Sequence, residues 1–239
     1  MPSKMHYDDV LEKLKALSHP EALKGMAEFG ITPEKVYGVS LPDLRNLARE
    51  IGTDHELSSK LWESNIRETR ILASMVADPR KVTGEQMERW VDGFDYWEIC
   101  DQCCMNLFKK TSLAYQKAVE WSSREKEFTR RAGFVMMACL AVADKKAGDR
   151  LFEGFLPLIE REAGDNRNSV KKAVNWALRQ IGKRNLSLNR QAIEAARRIQ
   201  KQDCPSARWI ASDAIRELTS EAVQKRVQAK NPATPRRER

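Results

Sequence analysis

The chain has 239 residues, of which 32% are charged, with a net charge of +8 and a mean hydropathy of −0.60. That length gives room for one or two domains with a sizeable core. No apolar run approaches the roughly 18–20 residues of a membrane-spanning helix, and the polar stretch from Met1 to Val10 does not have the form of a signal peptide. The charge is unevenly spread. Residues 1–125 hold 17 Lys and Arg against 21 Asp and Glu, a balance of −4, while residues 126–239 hold 25 against 13, a balance of +12. Such asymmetry points to a polyanionic partner held mainly by the second half, with a membrane surface as the competing polyanion.

Strand patterns are missing, and Gly and Pro punctuate helical periods. The spacing predicts helices near 7–18, 20–29, 41–51, 55–64, 66–78, 84–93, 96–109, 112–122, 126–143, 147–163, 168–184, 188–202 and 205–229. Pro20, Pro42 and Pro205 fall at or near first helical turns, where proline is tolerated. Asp95 and Glu98 have the form of a capping box at the head of 96–109. Within that helix Cys100, Cys103 and Cys104 join Leu107 and Phe108 in one apolar stripe. They read as small core residues in a reducing cytosol, as does Cys139, while Cys204 lies at a helix end. A zinc reading lacks partners, because the histidines are only His6, His19 and His55.

The helix over 126–143 is apolar nearly all round and so reads as central, yet Arg130 and Arg131 stand near its start. Either they reach a groove or an anion, or they sit at a loop edge satisfied by Glu125 or Glu127. Pro157 predicts a kink or break inside 147–163. In 168–184, Val170, Ala173, Val174, Ala177 and Ile181 form the apolar stripe. Trp176 lies about 120° away, among Lys172, Arg179 and Lys183. An aromatic between phosphate-binding cations suits a nucleic-acid surface. The competing reading is an indole covered by lysine and arginine stems or by a neighbouring helix.

A weak echo links Arg130-Arg131-Ala132, Lys171-Lys172-Ala173 and Ala207-Arg208-Trp209-Ile210, about 41 and 36 residues apart. A helix pair repeated at roughly 40 residues is the mark of a HEAT-type array. The expected architecture is all-α: a right-handed solenoid of about six HEAT-like repeats with a basic concave face. One such domain is expected over 1–224, followed by a basic, disordered tail over 225–239.

Asp101 lies one turn inside its helix, four residues after Trp97, so the two project on the same side beside the cysteine stripe. A carboxylate there is partly shielded from water; the competing role is a surface Asp paired with a nearby cation. Trp97-x-x-x-Asp101, Arg131 at the head of the next long apolar helix, and Lys171-x-Ala173-x-x-Trp176-x-Leu178-Arg179 together resemble the bacterial and archaeal AlkD family of DNA alkylation repair glycosylases. Gly38-Val39-Ser40-Leu41-Pro42-Asp43-Leu44-Arg45 is similar to that family's entry into its second repeat. The similarity runs from roughly Leu23 to Leu218.

The resemblance implies that Trp97 and Trp176 face the lesion nucleotide, that Asp101 is the catalytic carboxylate and that Arg131 holds the DNA backbone. Arg130 precedes Arg131 here, so the pair offers two candidates for the phosphate contact. Lys172, Arg179 and Lys183 would add phosphate contacts. The implied activity is excision of cationic N3- or N7-alkylated purines from double-stranded DNA, by a cytoplasmic, nucleoid-associated monomer with no metal, redox cofactor or membrane partner. The alternative is a non-catalytic HEAT-repeat protein that grips distorted or branched DNA.

Overall fold

A computed structural model describes residues 5–230. The regular elements of the described residues are all helices, with no strand among them. The chain divides into two compact units, Met1–Ala114 and Tyr115–Arg239.

The first unit holds α1 (Tyr7–Ala16), α2 (Ala22–Glu28), α3 (Leu41–Ile51), α4 (His55–Glu63), α5 (Arg67–Val76), α6 (Gly84–Asp92) and α7 (Trp97–Asn106), then a 3₁₀ turn at Phe108–Lys110. Helix α5 is its centre and packs on α3, α4 and α7. Local chemistry explains the starts: Ser40, Asp54 and Thr83 each accept a backbone N–H from the first turn they cap. Pro42 sits in the first turn of α3, where its missing N–H costs nothing. An aromatic cluster closes one side. Trp62 and Trp90 stack with centroids 4.2 Å apart, and the Arg70 guanidinium lies 4.5 Å over the Trp62 ring.

The second unit holds α8 (Ala114–Ser122), whose first residue marks the boundary, then α9 (Glu127–Ala143), α10 (Asp149–Glu153), α11 (Leu156–Glu162), α12 (Asn168–Gly182), α13 (Leu186–Gln200), α14 (Pro205–Leu218) and α15 (Glu221–Ala229). Two sequence expectations are resolved here. The 147–163 segment does break, with α10 ending before Gly154 and α11 carrying Pro157 in its first turn. The single helix expected over 205–229 is instead two, because Ser220 turns the chain and accepts the Val223 N–H as the cap of α15. Residues 225–229 lie within α15, with Val227 buried, and residues 231–239 of the expected tail lie outside the described residues.

The repeat is written in the hydrogen bonds between helices. Ser169 meets Glu127 and Arg131, Asn175 meets Asp213, and Arg179 meets Glu217, at offsets of 42, 38, 38 and 38 residues. Head thus meets head and tail meets tail, so α9, α12 and α14 run parallel. A second row follows the same step: Gln191 to Glu153 and Arg198 to Glu160, each 38 residues apart, tie α13 to α10 and α11. Gly133 permits the tight entry to this stack, since a Cβ there would lie 2.4 Å from the Ser122 amide nitrogen. The stripe read on α12 faces inward as expected, with Val170, Val174, Ala177 and Ile181 fully buried.

Candidate functional site

The Trp97–Asp101 pair stands on α7 of the first unit. That helix is not capped in the way its sequence suggests. Tyr96 is the N-cap residue and makes no side-chain cap. Asp95 instead pairs with Arg70 at 3.1 Å, and Glu98 turns inward to a bidentate fork with Arg67, at 2.7 Å for both bonds. The capping box fails because the two carboxylates meet better donors, the guanidinium groups of α5.

This fork belongs to a buried network. Arg67 is 2% exposed and Glu68 fully buried. Arg67 Nη1 donates to Glu68 at 2.9 Å and to the Val39 carbonyl at 3.0 Å. Glu68 also accepts the backbone N–H groups of Tyr37, Gly38 and Val39, at 3.0, 3.0 and 3.2 Å. Burial lowers the Arg67 proton affinity, but the hydrogen bonds and charges of Glu98 and Glu68 outweigh it and raise its pKa. The network fixes the first turn of α7, and with it the direction of Trp97.

Trp97 is half-buried, and its indole N–H donates to the Phe29 carbonyl at 2.8 Å. Phe29 itself is 75% exposed. Asp101, one turn on, is 7% exposed and borders Cys100, Cys103 and Cys104, all fully buried. Desolvation pushes the Cys103 thiol well up, so it sits in the core as a neutral small residue. Asp101 is therefore largely shielded from water.

The remaining candidates lie in the second unit. Arg131 is buried on α9 and donates to the Ser169 carbonyl at the head of α12. Arg130 is committed elsewhere, with ion pairs to Glu162 at 3.0 Å and Asp165 at 2.9 Å and a bond to the Arg124 carbonyl at 2.7 Å. It is satisfied at the loop edge, though by Glu162 at the end of α11 and Asp165 in the loop before α12 rather than by Glu125 or Glu127. Trp176 is half-buried and Lys172 exposed. Arg179 and Lys183 are not open cations. Both pair with Glu217 of α14, Lys183 at 2.6 Å, and Arg179 also lies 3.6 Å from Asp213. Burial pushes the Glu217 carboxyl up, but the bonds from Lys183 and Arg179 prevail and hold it below its usual value. The stripe of three available cations expected on α12 therefore reduces to Lys172. Beside it Lys171 lies 5.1 Å over the Trp209 ring, an indole 42% exposed.

A family model for DNA alkylation repair enzymes matches residues 10–218. The chain belongs to the DNA alkylation repair enzyme family. An uncharacterized protein of Listeria innocua is 25% identical over 199 residues, covering 82% of this chain and 87% of that one. An uncharacterized protein of Listeria monocytogenes is 27% identical over 132 residues, covering 54% and 59%. A solved structure from a family related to the HEAT-like repeat DNA glycosylases, with affinity for branched DNA structures, superposes with a TM-score of 0.74. It is 20% identical and covers 89% of this chain and 95% of that one. This family member thus has the HEAT-like all-helical fold.

Two features of this DNA alkylation repair family member escaped the sequence reading. One is the Arg67–Glu68–Glu98 network, signalled only by adjacent charges inside an apolar helix. The other is Asp213 and Glu217, one turn apart and one repeat step beyond Asn175 and Arg179. Reading the 38-residue step through acids as well as through apolar residues would have found them.

Proposed function

We propose that this chain is a DNA glycosylase that hydrolyses the N-glycosidic bond of cationic N3- or N7-alkylated purines in double-stranded DNA. The observation that carries this reading is Asp101, a nearly buried carboxylate one turn from a half-buried tryptophan whose ring is held by a backbone hydrogen bond. An alkylated purine is already cationic, so the C1′–N bond can break with its electron pair leaving on a neutral base. No general acid is needed, unlike glycoside hydrolysis with its two carboxylates. Positive charge then develops on the deoxyribose, and Asp101 stabilises it from a site of low dielectric. Water adds to C1′, and its proton passes to Asp101 and on to solvent. The indole faces of Trp97 and Trp176 suit a cationic base or sugar. Exposed Lys172 supplies a phosphate contact, whereas Arg131 contributes by turning from the Ser169 carbonyl, and Arg179 and Lys183 by leaving Glu217.

The test is release of 7-methylguanine from modified duplex. Asp101→Asn keeps size but removes charge, and excision falls two to three orders of magnitude, about 2.7–4 kcal/mol by analogy with losing one preorganised group. DNA affinity holds or rises slightly. Full excision by the Asn variant refutes the assignment. A second reading, a non-catalytic binder of branched DNA, is favoured by the affinity of the solved relative. It predicts no base release from any alkylated duplex and tighter binding to a four-way junction than to linear DNA.

A further inference from the structure

A cavity of about 300 Å³ opens in the second unit where α9 and α12 end. Lys145, Lys183, Arg184, Arg226 and Lys230 line it, with Asp149 as its one carboxylate. Lys183 is neutralised by Glu217, and Asp149 accepts two bonds from the Asn185 amide at 2.8 and 3.0 Å. The other four cations have no carboxylate partner among the described residues. Arg184 donates to the carbonyls of Ala141, Asp144 and Ala147, at 2.7, 2.8 and 3.1 Å, and lies 3.8 Å over the Phe152 ring. Its Nε is buried and unpartnered. Lys230 Nζ donates to the carbonyls of Lys183 and Arg184, at 2.8 and 3.0 Å. Lys145 and Arg226 reach into solvent at the rim.

Capping accounts for part of this charge. Helix C-termini favour cations, and each carries roughly −0.5 charge. The ends of α9, α12 and α15 together offset about one and a half positive charges, and Asp149 offsets another. Four cations less these offsets leave an excess of about +1.5 around a small cavity. Helix ends account for Arg184, for Lys230 and for Arg226 in the last turn of α15; they do not account for the convergence of all three with Lys145 on one small cavity. The Lys230 ammonium is held below its usual pKa, first by burial and then by the charges of Arg226, Lys145 and Arg184.

We infer that this cavity is a phosphate-binding site. A phosphate group carries the opposite charge, about −2 for a phosphate monoester and −1 for each backbone phosphodiester, and guanidinium and ammonium groups at one mouth supply the donors it needs. The phosphate belongs either to a free polyphosphate or to the nucleic-acid backbone. The inference stands on the second unit alone and does not rest on excision chemistry.

The probe is pyrophosphate, titrated calorimetrically into the full chain at constant ionic strength, alongside duplex DNA binding measured over a salt series. The variant is Lys145→Ala combined with Arg226→Ala, both exposed, and its melting curve checks folding. Pyrophosphate binding that weakens tenfold or more in the variant supports the site. Displacement of duplex by pyrophosphate then assigns the phosphate to the backbone, and retention of duplex assigns it to a free polyphosphate. A salt slope that falls by about 0.9 in the variant, even without pyrophosphate binding, supports a backbone contact. Equal pyrophosphate binding by both proteins, or no binding together with an unchanged slope, overturns the inference.

Discussion

Removing the Glu98 carboxylate tests whether the buried network sets the first unit. In Glu98→Ala, Arg67 loses both acceptors of its fork while its other arm keeps Glu68 and the Val39 carbonyl. Breaking a buried ion pair from one side costs about 3–5 kcal/mol, because a charge remains in a dry site. Glu68 still compensates the guanidinium, so the lower end, about 3 kcal/mol, is expected here. For a chain of this size, each kcal/mol moves the melting midpoint by about 2–4 °C, giving a fall of about 6–12 °C. Arg67→Ala should cost more, since it strands Glu68 and Glu98 together with no cation between them. The assay is thermal unfolding by far-UV circular dichroism, repeated in urea. Both variants melting within about 2 °C of the parent, or Glu98→Ala proving the worse of the two, would refute the reasoning.

Three further outcomes are expected. Gly133→Ala drives a methyl into the Ser122 backbone and should cost about 1–3 kcal/mol, read as a lower urea midpoint; an unchanged midpoint means that α8 and α9 do not depend on this close approach. Tyr115 is pushed up to about 12 from 10.0, first by burial and then by its bond to Asp144 and that group's charge. The folded state holds this proton more tightly, so the stability it confers is complete below pH 10 and lost as pH rises towards 12. Tyr115→Phe should flatten that part of the stability–pH curve, and an identical curve contradicts the assignment. Glu217→Gln frees Arg179 and Lys183, so duplex affinity should rise at low salt and the salt slope should steepen by up to about 1.8. Unchanged DNA binding would place both cations away from the nucleic acid.

The apolar side of this fold was legible in the sequence because burial imposes a period. The stripes on α7 and α12 and the break before Pro157 followed from spacing alone. The polar side was less so. Asp95 and Glu98 satisfied the spacing of a capping box, yet spacing does not reveal that Arg67 and Arg70 arrive from α5 with stronger bonds. Lys172, Arg179 and Lys183 looked alike on one face, but the acids that occupy two of them stand one repeat away on α14. Ser220 hid a helix boundary inside a helical pattern, since one capping hydroxyl outweighs the modest propensities around it. Local periodicity finds the core; partner choice among charges is decided by tertiary proximity.

The tie between Glu68 and the backbone of residues 37–39 bears on where the chain can be cut. The segment before α3 is among the least buried parts of the protein, and a shortened version starting at α3 would seem harmless on exposure alone. Yet that segment delivers three N–H donors to a carboxylate that sees no solvent, the Val39 carbonyl to Arg67, and the Lys35 carbonyl to the Arg67 backbone N–H. It is held in place by a bond from the His19 N–H to the Tyr37 carbonyl, over a Gly38 at φ 79° whose Cβ would strike that same His19. Trimming to residue 40 would leave an interior anion short of partners. The stable part of the first unit therefore begins upstream of α3, and the apparently dispensable lead-in is a structural clasp.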